Sequence, residues 1–175
     1  MKNLVVVIAF LMASTVSFAQ GAFDKFEDKE GVASVIVNKK MFEMMSKVKV
    51  DAKDKEMQQY MNLLKKLDNL KVFTTSNTKL GADMKATVNG YLKSNPLEEL
   101  MRVNGDGKNV KIYVKSGANE NIVRELLMFV EGSNVKDAGT VVLSLTGNFS
   151  LDEISMLTEK MNLPGGDDLK KASKK

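Results

Sequence analysis

Residues 99–115 read ELMRVNGDGKNVKIYVK, and this stretch contains the clearest structural signal in the chain. Two alternating apolar runs, Glu99–Val103 and Val110–Lys115, enclose the pairs Asn104-Gly105 and Asp106-Gly107. Asn-Gly and Asp-Gly pairs readily adopt the positive φ angles that tight hairpin turns need. The stretch therefore predicts a β-hairpin. Successive side chains of a strand point to opposite faces, so one face carries Val110, Ile112 and Val114, and the other carries Lys111, Tyr113 and Lys115.

Three further strands are predicted, two before the hairpin and one after it. Residues 32–37 (VASVIV), 70–75 (LKVFTT) and 141–145 (VVLSL) are short and rich in β-branched or aromatic side chains. Such runs favour strands that are buried in a sheet. With the two strands of the hairpin, the chain is expected to form five strands.

Helices are predicted where apolar side chains recur at helical spacing beside a residue that can cap the helix. In the first half of the chain, a short helix is expected over 22–29, a Met-rich helix after Asn38, and another after Asp51. The apolar stripes of the last two are Met41, Met44, Met45 and Val48, and Met57, Tyr60, Met61, Leu64 and Leu67.

Three more helices are predicted in the second half. The first begins at Asn77 or Thr78 and ends at Asn95-Pro96, because the residue before a proline avoids the helical region. The second is capped by Asn119, and the third begins at the capping box formed by Ser150 and Glu153. Their apolar stripes are Leu80, Met84, Val88, Tyr91 and Leu92; Ile122, Val123, Leu126, Leu127 and Val130; and Ile154, Leu157 and Met161.

The order of these elements predicts an α+β fold with a five-stranded, mainly antiparallel sheet and helices on one face. Residues 70–145 follow the order of a ferredoxin-like βαββαβ core, preceded by a strand-helix-helix unit. Another α+β arrangement of five strands is the alternative. We expect a single domain over residues 20–163 and a disordered, Lys-rich tail over 164–175, where little apolar surface remains to bury.

The first nineteen residues resemble a secretory signal peptide. Lys2 precedes the ten-residue apolar run Leu4–Ala13, which is far shorter than the ~20 residues that span a bilayer. Ser17 and Ala19 supply small residues at the cleavage site, so cleavage after Ala19 is expected. No Cys follows that could carry a lipid, so a periplasmic or secreted protein without a transmembrane segment is expected.

Composition excludes several classes of chemistry. The chain of 175 residues has no Cys and no His, which removes disulfides, thiol nucleophiles, imidazole acid-base catalysis and Cys/His zinc sites. It has 26 basic residues and a formal charge of +4, but Arg102 and Arg124 are its two arginines. Nucleic-acid readers usually show Arg clusters and aromatic platforms, so no nucleic-acid partner is expected.

The 12 methionines permit two interpretations. Thioethers can bind Cu(I), whereas methionine also fills irregular gaps in cores. Met41, Met44, Met45, Met57 and Met61 fall on the predicted apolar stripes, so core packing is favoured and neither a metal nor a cofactor is expected.

Motifs for catalysis are weak. Ser76-Asn77-Thr78-Lys79 matches the S-x-x-K pattern of Ser/Lys nucleophiles, but the pattern also occurs at residues 46–49 and 133–136 of this Lys-rich chain. Residues 104–109 resemble a calcium loop only in part, since Lys108 stands where an oxygen ligand is needed. No catalytic residue is therefore assigned.

Several segments together resemble a known family. They are Phe23-Asp24-Lys25-Phe26, residues 35–45 (VIVNKKMFEMM), residues 70–73 (LKVF) and the Gly-rich hairpin. In these the chain resembles the DUF4252-type family of small exported Bacteroidetes proteins of unknown function. The resemblance implies a location in the periplasm or envelope, and it implies no activity, cofactor or functional residue.

The function expected from the sequence is a non-enzymatic binding or protein-interaction module of the Gram-negative envelope. Its expected binding surface is the sheet face that carries Arg102, Lys111, Tyr113 and Lys115, which could meet an envelope protein or an anionic ligand. The alternatives are a His-free hydrolase that uses Ser/Lys or carboxylate groups, and a structural envelope module.

Overall fold

The structure, a computed structural model, describes residues 21–51, 53–105, 107–119, 121–132 and 139–161. The predicted signal segment, 1–19, and the predicted tail, 164–175, lie outside these ranges. The described strands are β1 (Ala33–Asn38), β2 (Leu67–Thr75), β3 (Glu98–Gly105), β4 (Lys108–Ser116), β5 (Val123–Gly132) and β6 (Thr140–Phe149). The described helices are a 3₁₀ turn (Asp24–Phe26), α1 (Lys39–Met45), α2 (Lys55–Leu64), α3 (Thr78–Ser94) and α4 (Leu151–Lys160).

The six strands form one antiparallel sheet in the order β1-β2-β6-β5-β4-β3. Strands β3 to β6 follow one another as a meander that ends beside β2. Helix α3 connects β2 to β3, which lie four positions apart in the sheet. The α+β class is confirmed, but the sheet has six strands instead of five, and the described residues do not form a ferredoxin-like core.

The difference arises at β5, which the sequence analysis assigned to a helix capped by Asn119. Within it, Leu126-Leu127-Met128-Phe129-Val130 is a continuous apolar run. Such a run suits a strand in the interior of a sheet that is covered on both faces. Leu126, Met128 and Val130 contact the core on one face, whereas Leu127 and Phe129 contact the core on the other. The apparent helical stripe came from apolar residues that face both ways.

Helices cover both faces of the sheet, so the prediction of helices on one face is wrong. Helix α3 and the 3₁₀ turn cover one face, which we call the α3 face. Helices α1, α2 and α4 cover the other, the α1 face. Buried residues of the α3-face core are Phe23, Phe26, Phe73, Met84, Val88, Tyr91, Leu127, Phe129 and Val142. The largest side chains of the α1-face core include Phe42, Leu63, Leu64, Leu70, Ile112 and Phe149.

Several local predictions are confirmed at the level of individual bonds. The β3-β4 hairpin forms as expected, with Gly107 at a φ of 72°. The side chains of Asn38 and Asn77 accept hydrogen bonds from the first turns of α1 and α3. The capping box also forms, because the Ser150 N–H donates to Glu153 Oε2 over 2.9 Å and the Glu153 N–H donates to Ser150 Oγ over 3.4 Å.

The start of α2 differs from the prediction. Asp54 caps this helix by accepting a hydrogen bond from the Met57 N–H over 3.0 Å, whereas Asp51 was predicted to do so. Leu67, predicted as the end of the helical stripe, is the first residue of β2. Among the described residues, no helix is long and apolar enough to cross a lipid bilayer.

Candidate interaction surfaces

The four predicted binding residues lie on the same face of the sheet. Arg102 is the cross-strand neighbour of Lys111, and Lys115 is the neighbour of Glu125 on β5. Tyr113 lies between the two lysines and packs against the α3-face core. The structure therefore brings the four residues together, but on a face that α3 partly covers.

Arg102 is already bound within this group. Its Nε and Nη2 atoms donate to the two carboxylate oxygens of Glu99 over 2.9 and 2.5 Å. The hydrogen bond from Arg102 lowers the pKa of Glu99, and the charges of Arg102 and Lys111 add to this effect. An external anion would have to displace Glu99 to reach the guanidinium group.

Tyr113 is partly buried. Burial raises the pKa of its hydroxyl, and the neighbouring charge of Glu99 raises it further. Lys115 is exposed, whereas Lys111 is half-buried. Of the three basic residues, Arg102 is therefore paired with a carboxylate, and the charge of Lys111 also helps to lower the pKa of that Glu99 carboxyl.

A buried polar pair lies beside this face, and the sequence analysis did not find it. Glu125 on β5 is 7% exposed and accepts a hydrogen bond from the hydroxyl of Tyr91 on α3. Burial, followed by the hydrogen bond and charge of Glu125, raises the pKa of Tyr91 well above its usual range. The pair was missed because Glu125 lay in the segment that was assigned to a helix.

We expect Tyr91→Phe to lower the free energy of unfolding at pH 7 by about 1.5–3 kcal/mol, since the buried carboxylate loses its donor. Because the pKa of Tyr91 is raised in the folded state, the unfolded state releases the proton first, at about pH 10. The stability that this tyrosine contributes is complete below pH 10 and decreases above it. Urea unfolding at pH 7, 9 and 10.5 should therefore show the gap between wild type and variant becoming smaller above pH 10. A gap that is absent at pH 7, or that widens at high pH, would contradict this role.

The Phe-Asp-Lys-Phe segment has a structural role on the α3 face. Phe23 and Phe26 are buried in the α3-face core. Asp24 forms an ion pair with Lys71 on β2, and the Lys25 Nζ lies 2.8 Å from Asp83 Oδ1 on α3. Although burial opposes the charge of Lys71, hydrogen bonds to Asp24 and Glu27 raise its pKa overall. These contacts attach the 3₁₀ turn to the sheet and to α3.

An exposed apolar stripe lies on α1 and the turn after it. Met41, Met44 and Val48 are 50%, 58% and 59% exposed, respectively. The sequence analysis placed these residues on the buried side of the helix, and the structure corrects this: the fully buried residue of α1 is Phe42. A seven-residue helix has too few turns to bury both sides, and the larger aromatic ring occupies the core.

The stripe continues into an open cleft between the end of α1 and α2. The cleft has a volume of about 290 Å³ and is lined by Ser46, Val48, Val50, Gln58, Met61, Asn62 and Lys65. Val48 belongs to both features, so the stripe and the cleft form one continuous surface, in which the apolar side chains of Val48, Val50 and Met61 lie among polar ones. We call this surface the methionine surface.

Lysines surround the methionine surface. Lys47 and Lys49 flank Val48 in the chain and are exposed, and Lys65 lies at the rim of the cleft. Lys65 Nζ is 3.5 Å from the side-chain oxygen of Asn62. Within the described ranges, neither Lys47 nor Lys49 forms an ion pair. Three lysines therefore lie in or beside this surface.

The arrangement at Ser46 does not resemble an activated nucleophile. Ser46 lines the cleft and belongs to one of the S-x-x-K matches, with Lys49. Its hydroxyl donates a hydrogen bond to the backbone carbonyl of Glu43 over 2.9 Å. A serine nucleophile needs its proton directed at a base. In the part of the chain that the structure describes, no group of three acidic side chains is placed to hold a metal ion.

Comparison with known proteins gives one match. A family model described as a domain of unknown function, DUF4252, matches residues 26–157. This range contains the whole sheet, the methionine surface and the predicted face of Arg102, Lys111, Tyr113 and Lys115. No curated protein and no solved structure matches the chain.

Proposed function

Because this chain belongs to the DUF4252 family, a domain of unknown function, we propose a role from its surface chemistry. The protein is an exported, non-enzymatic interaction module of the bacterial envelope. It binds a protein partner at the methionine surface. The observation that carries this proposal is the exposed stripe of Met41, Met44 and Val48, which leads into the cleft.

The exposed side chains of the stripe differ from the isolated apolar residues that most protein surfaces carry. Single exposed apolar residues are normal on protein surfaces, whereas contiguous ones beside a cavity mark interaction sites. Methionine is flexible and polarizable, so it adapts to the shape of a bound segment. A chain that keeps Met41 and Met44 in contact with water gains nothing in stability from them, which favours a role in binding.

The rim defines the chemistry of the partner. Lys47, Lys49 and Lys65 place positive charge around an apolar centre. A segment that has apolar side chains flanked by Asp or Glu matches both features. Complementary charge of this kind accelerates association and selects among partners.

A lipid surface could also meet apolar and basic side chains, but the shape favours a protein. A bilayer is flat on the scale of this surface, whereas the cleft of about 290 Å³ is concave. Its lining includes Val50 and Met61, which can contact an inserted side chain. We therefore choose a protein partner and treat lipid binding as an outcome of the test.

Export is proposed from the pattern of residues 1–19, with Gln20 as the first residue of the mature protein. The cluster of Arg102, Lys111, Tyr113 and Lys115 remains a second candidate surface for an anionic ligand. It is the weaker of the two, because the guanidinium group of Arg102 is already hydrogen-bonded to the carboxylate of Glu99. The hydrolase alternative gains no support at Ser46, because the hydroxyl of Ser46 is bonded to a backbone carbonyl.

A binding experiment with matched variants tests the proposal. The full chain with a C-terminal tag is cross-linked in envelope extract and captured, alongside Met44→Glu and Leu100→Glu. Leu100 is 37% exposed and lies on β3, at the opposite edge of the sheet from β1, so it controls for the new charge. We expect Met44→Glu to reduce recovery of the partner at least about tenfold, whereas Leu100→Glu leaves it unchanged, since carboxylates repel acidic flanks. Equal recovery from both variants, or recovery of lipid alone, would contradict the proposal.

A further inference from the structure

The edge strand β1 lacks the features that normally protect an exposed edge. Its residues Ala33–Asn38 read ASVIVN and contain no charged side chain and no proline. It pairs with β2 without a register shift, so no bulge twists it away from a second strand. Val35 and Ile36 are 50% and 43% exposed. An edge of this kind is a template for pairing with another strand.

The other edge strand of the sheet, β3, has features that prevent pairing with another strand. Strand β3 carries Glu98, Glu99 and Arg102, and its pairing with β4 shifts register between Glu99 and Met101. Inserted charges and bulges are the usual means by which proteins prevent edge-to-edge association. The same sheet therefore has one protected edge and one open edge.

We propose that β1 pairs with β1 of a second copy of this chain, antiparallel and across a two-fold axis near Val35. A two-fold axis places each residue near the axis opposite the same residue of the second copy. A charged side chain there would therefore face an identical charge. The six residues of β1 carry none. The pairing joins the two sheets into one continuous sheet of twelve strands.

The residues that flank β1 favour this register. With Val35 opposite its copy, Ser34 lies opposite Ile36. Beyond the paired strands, the turn before β1 in one copy, which carries Glu30, lies on the same side as the first turn of α1 in the other, which carries Lys40. Glu30 and Lys40 are both exposed, and within the described ranges neither forms an ion pair. The turn that carries Glu30 in one copy thus lies toward the α1 turn that carries Lys40 in the other, twice in the dimer. This complementarity favours a second copy over an unrelated strand.

The proposal does not depend on the methionine surface, because it uses β1 and not the stripe of α1. A dimer can exist without the proposed binding partner, and the partner can bind a monomer. The two claims can therefore fail separately.

Cross-linking through an introduced cysteine tests the register. The chain has no cysteine, so Val35→Cys introduces a unique thiol. Cross-strand neighbours have Cβ atoms about 4.5–5.5 Å apart, close to the separation that a disulfide needs. Mild oxidation should convert most of this variant to a covalent dimer on a non-reducing gel, whereas Leu100→Cys on the protected edge should stay monomeric; adding a reductant should return the Val35→Cys dimer to monomer. Equal cross-linking of the two variants, or none in Val35→Cys, would refute the register.

Sedimentation of the unmodified full chain tests the association itself. We expect a dimer for wild type and for Leu100→Lys. Val35→Lys should weaken association roughly 100-fold, because two like charges then face each other at the axis. Circular dichroism of each variant checks that the sheet is intact. The proposal would be overturned if the wild-type chain is monomeric or if Val35→Lys remains dimeric. It would also be overturned if a strand of another protein is found paired at Val35.

Discussion

Replacing Gly147 with alanine is expected to lower the free energy of unfolding by about 3 kcal/mol or more, because the new methyl group would overlap backbone atoms. A Cβ at this position would lie 2.4 Å from the carbonyl oxygen of Lys66 and 2.9 Å from the Cα of Leu67. Both atoms lie at the start of β2, and this part of the backbone cannot move without disturbing the pairing of β2 with β6. The Asn148 N–H also donates to the same Lys66 oxygen over 2.9 Å, which holds the two segments close together.

Gly90→Ala is the matched control for this substitution. Gly90 lies inside α3, and a Cβ there would meet nothing within 4 Å. Alanine in an exposed helix interior is expected to stabilise by about 0.5–1 kcal/mol relative to glycine. Urea unfolding of the two variants should therefore give shifts of opposite sign. A neutral Gly147→Ala would contradict the close approach of β6 to the start of β2.

Phe42→Ala is expected to lower the free energy of unfolding by about 3–5 kcal/mol, the usual result of removing a fully buried aromatic ring. Phe42 is completely buried in the α1-face core, where it is the fully buried residue of α1. A helix of seven residues is too short to persist by intrinsic propensity, since isolated helices need about 12–15 residues. Loss of this ring should therefore also increase hydrogen exchange of the amides in α1.

Met44→Ala provides the comparison for Phe42→Ala. Met44 is 58% exposed, so its truncation should change the free energy of unfolding by less than about 0.5 kcal/mol. Both substitutions shorten an apolar side chain on the same helix, two residues apart. Chemical denaturation at equilibrium measures both. A larger loss for Met44→Ala than for Phe42→Ala would show that α1 packs with its methionines inward.

The fold could be predicted from the sequence where local rules decide the conformation. The Gly-rich segment between β3 and β4 predicted the hairpin, the side chains of Asn38 and Asn77 cap their helices, and Ser150 with Glu153 begins α4. Each of these features depends on residues within four positions of one another. Sequence spacing alone therefore contains enough information for them.

The prediction failed where the tertiary surroundings decide the outcome. In β5, the run Leu126–Val130 fits a helical stripe and a doubly buried strand equally well on apolarity alone. Only the presence of helices on both faces, which no local signal shows, makes the strand correct. The length of that apolar run, five residues without a polar interruption, was the available hint.

The candidate surfaces show the same limit. Spacing placed Arg102, Lys111, Tyr113 and Lys115 on one face, and the structure agrees. It could not show that Glu99 reaches Arg102, since this contact depends on the register shift between Glu99 and Met101. Nor could spacing decide which side of α1 faces the core, where Phe42 is buried and Met45 packs beside it while Met41 and Met44 are exposed. The exposed stripe could therefore not be predicted from spacing, because it depends on Phe42 lying in the core of the folded chain.

The most direct test of the methionine surface is photo-cross-linking in cells that export the full chain, with a photoreactive amino acid at position 44 or at position 100. The account predicts that position 44 yields one dominant adduct, with a protein segment that combines apolar residues and flanking carboxylates. Position 100 should yield none, and Lys47→Glu together with Lys49→Glu should weaken the adduct at position 44. Equal labelling from both positions, adducts with lipid alone, or no adduct at position 44 would contradict the account.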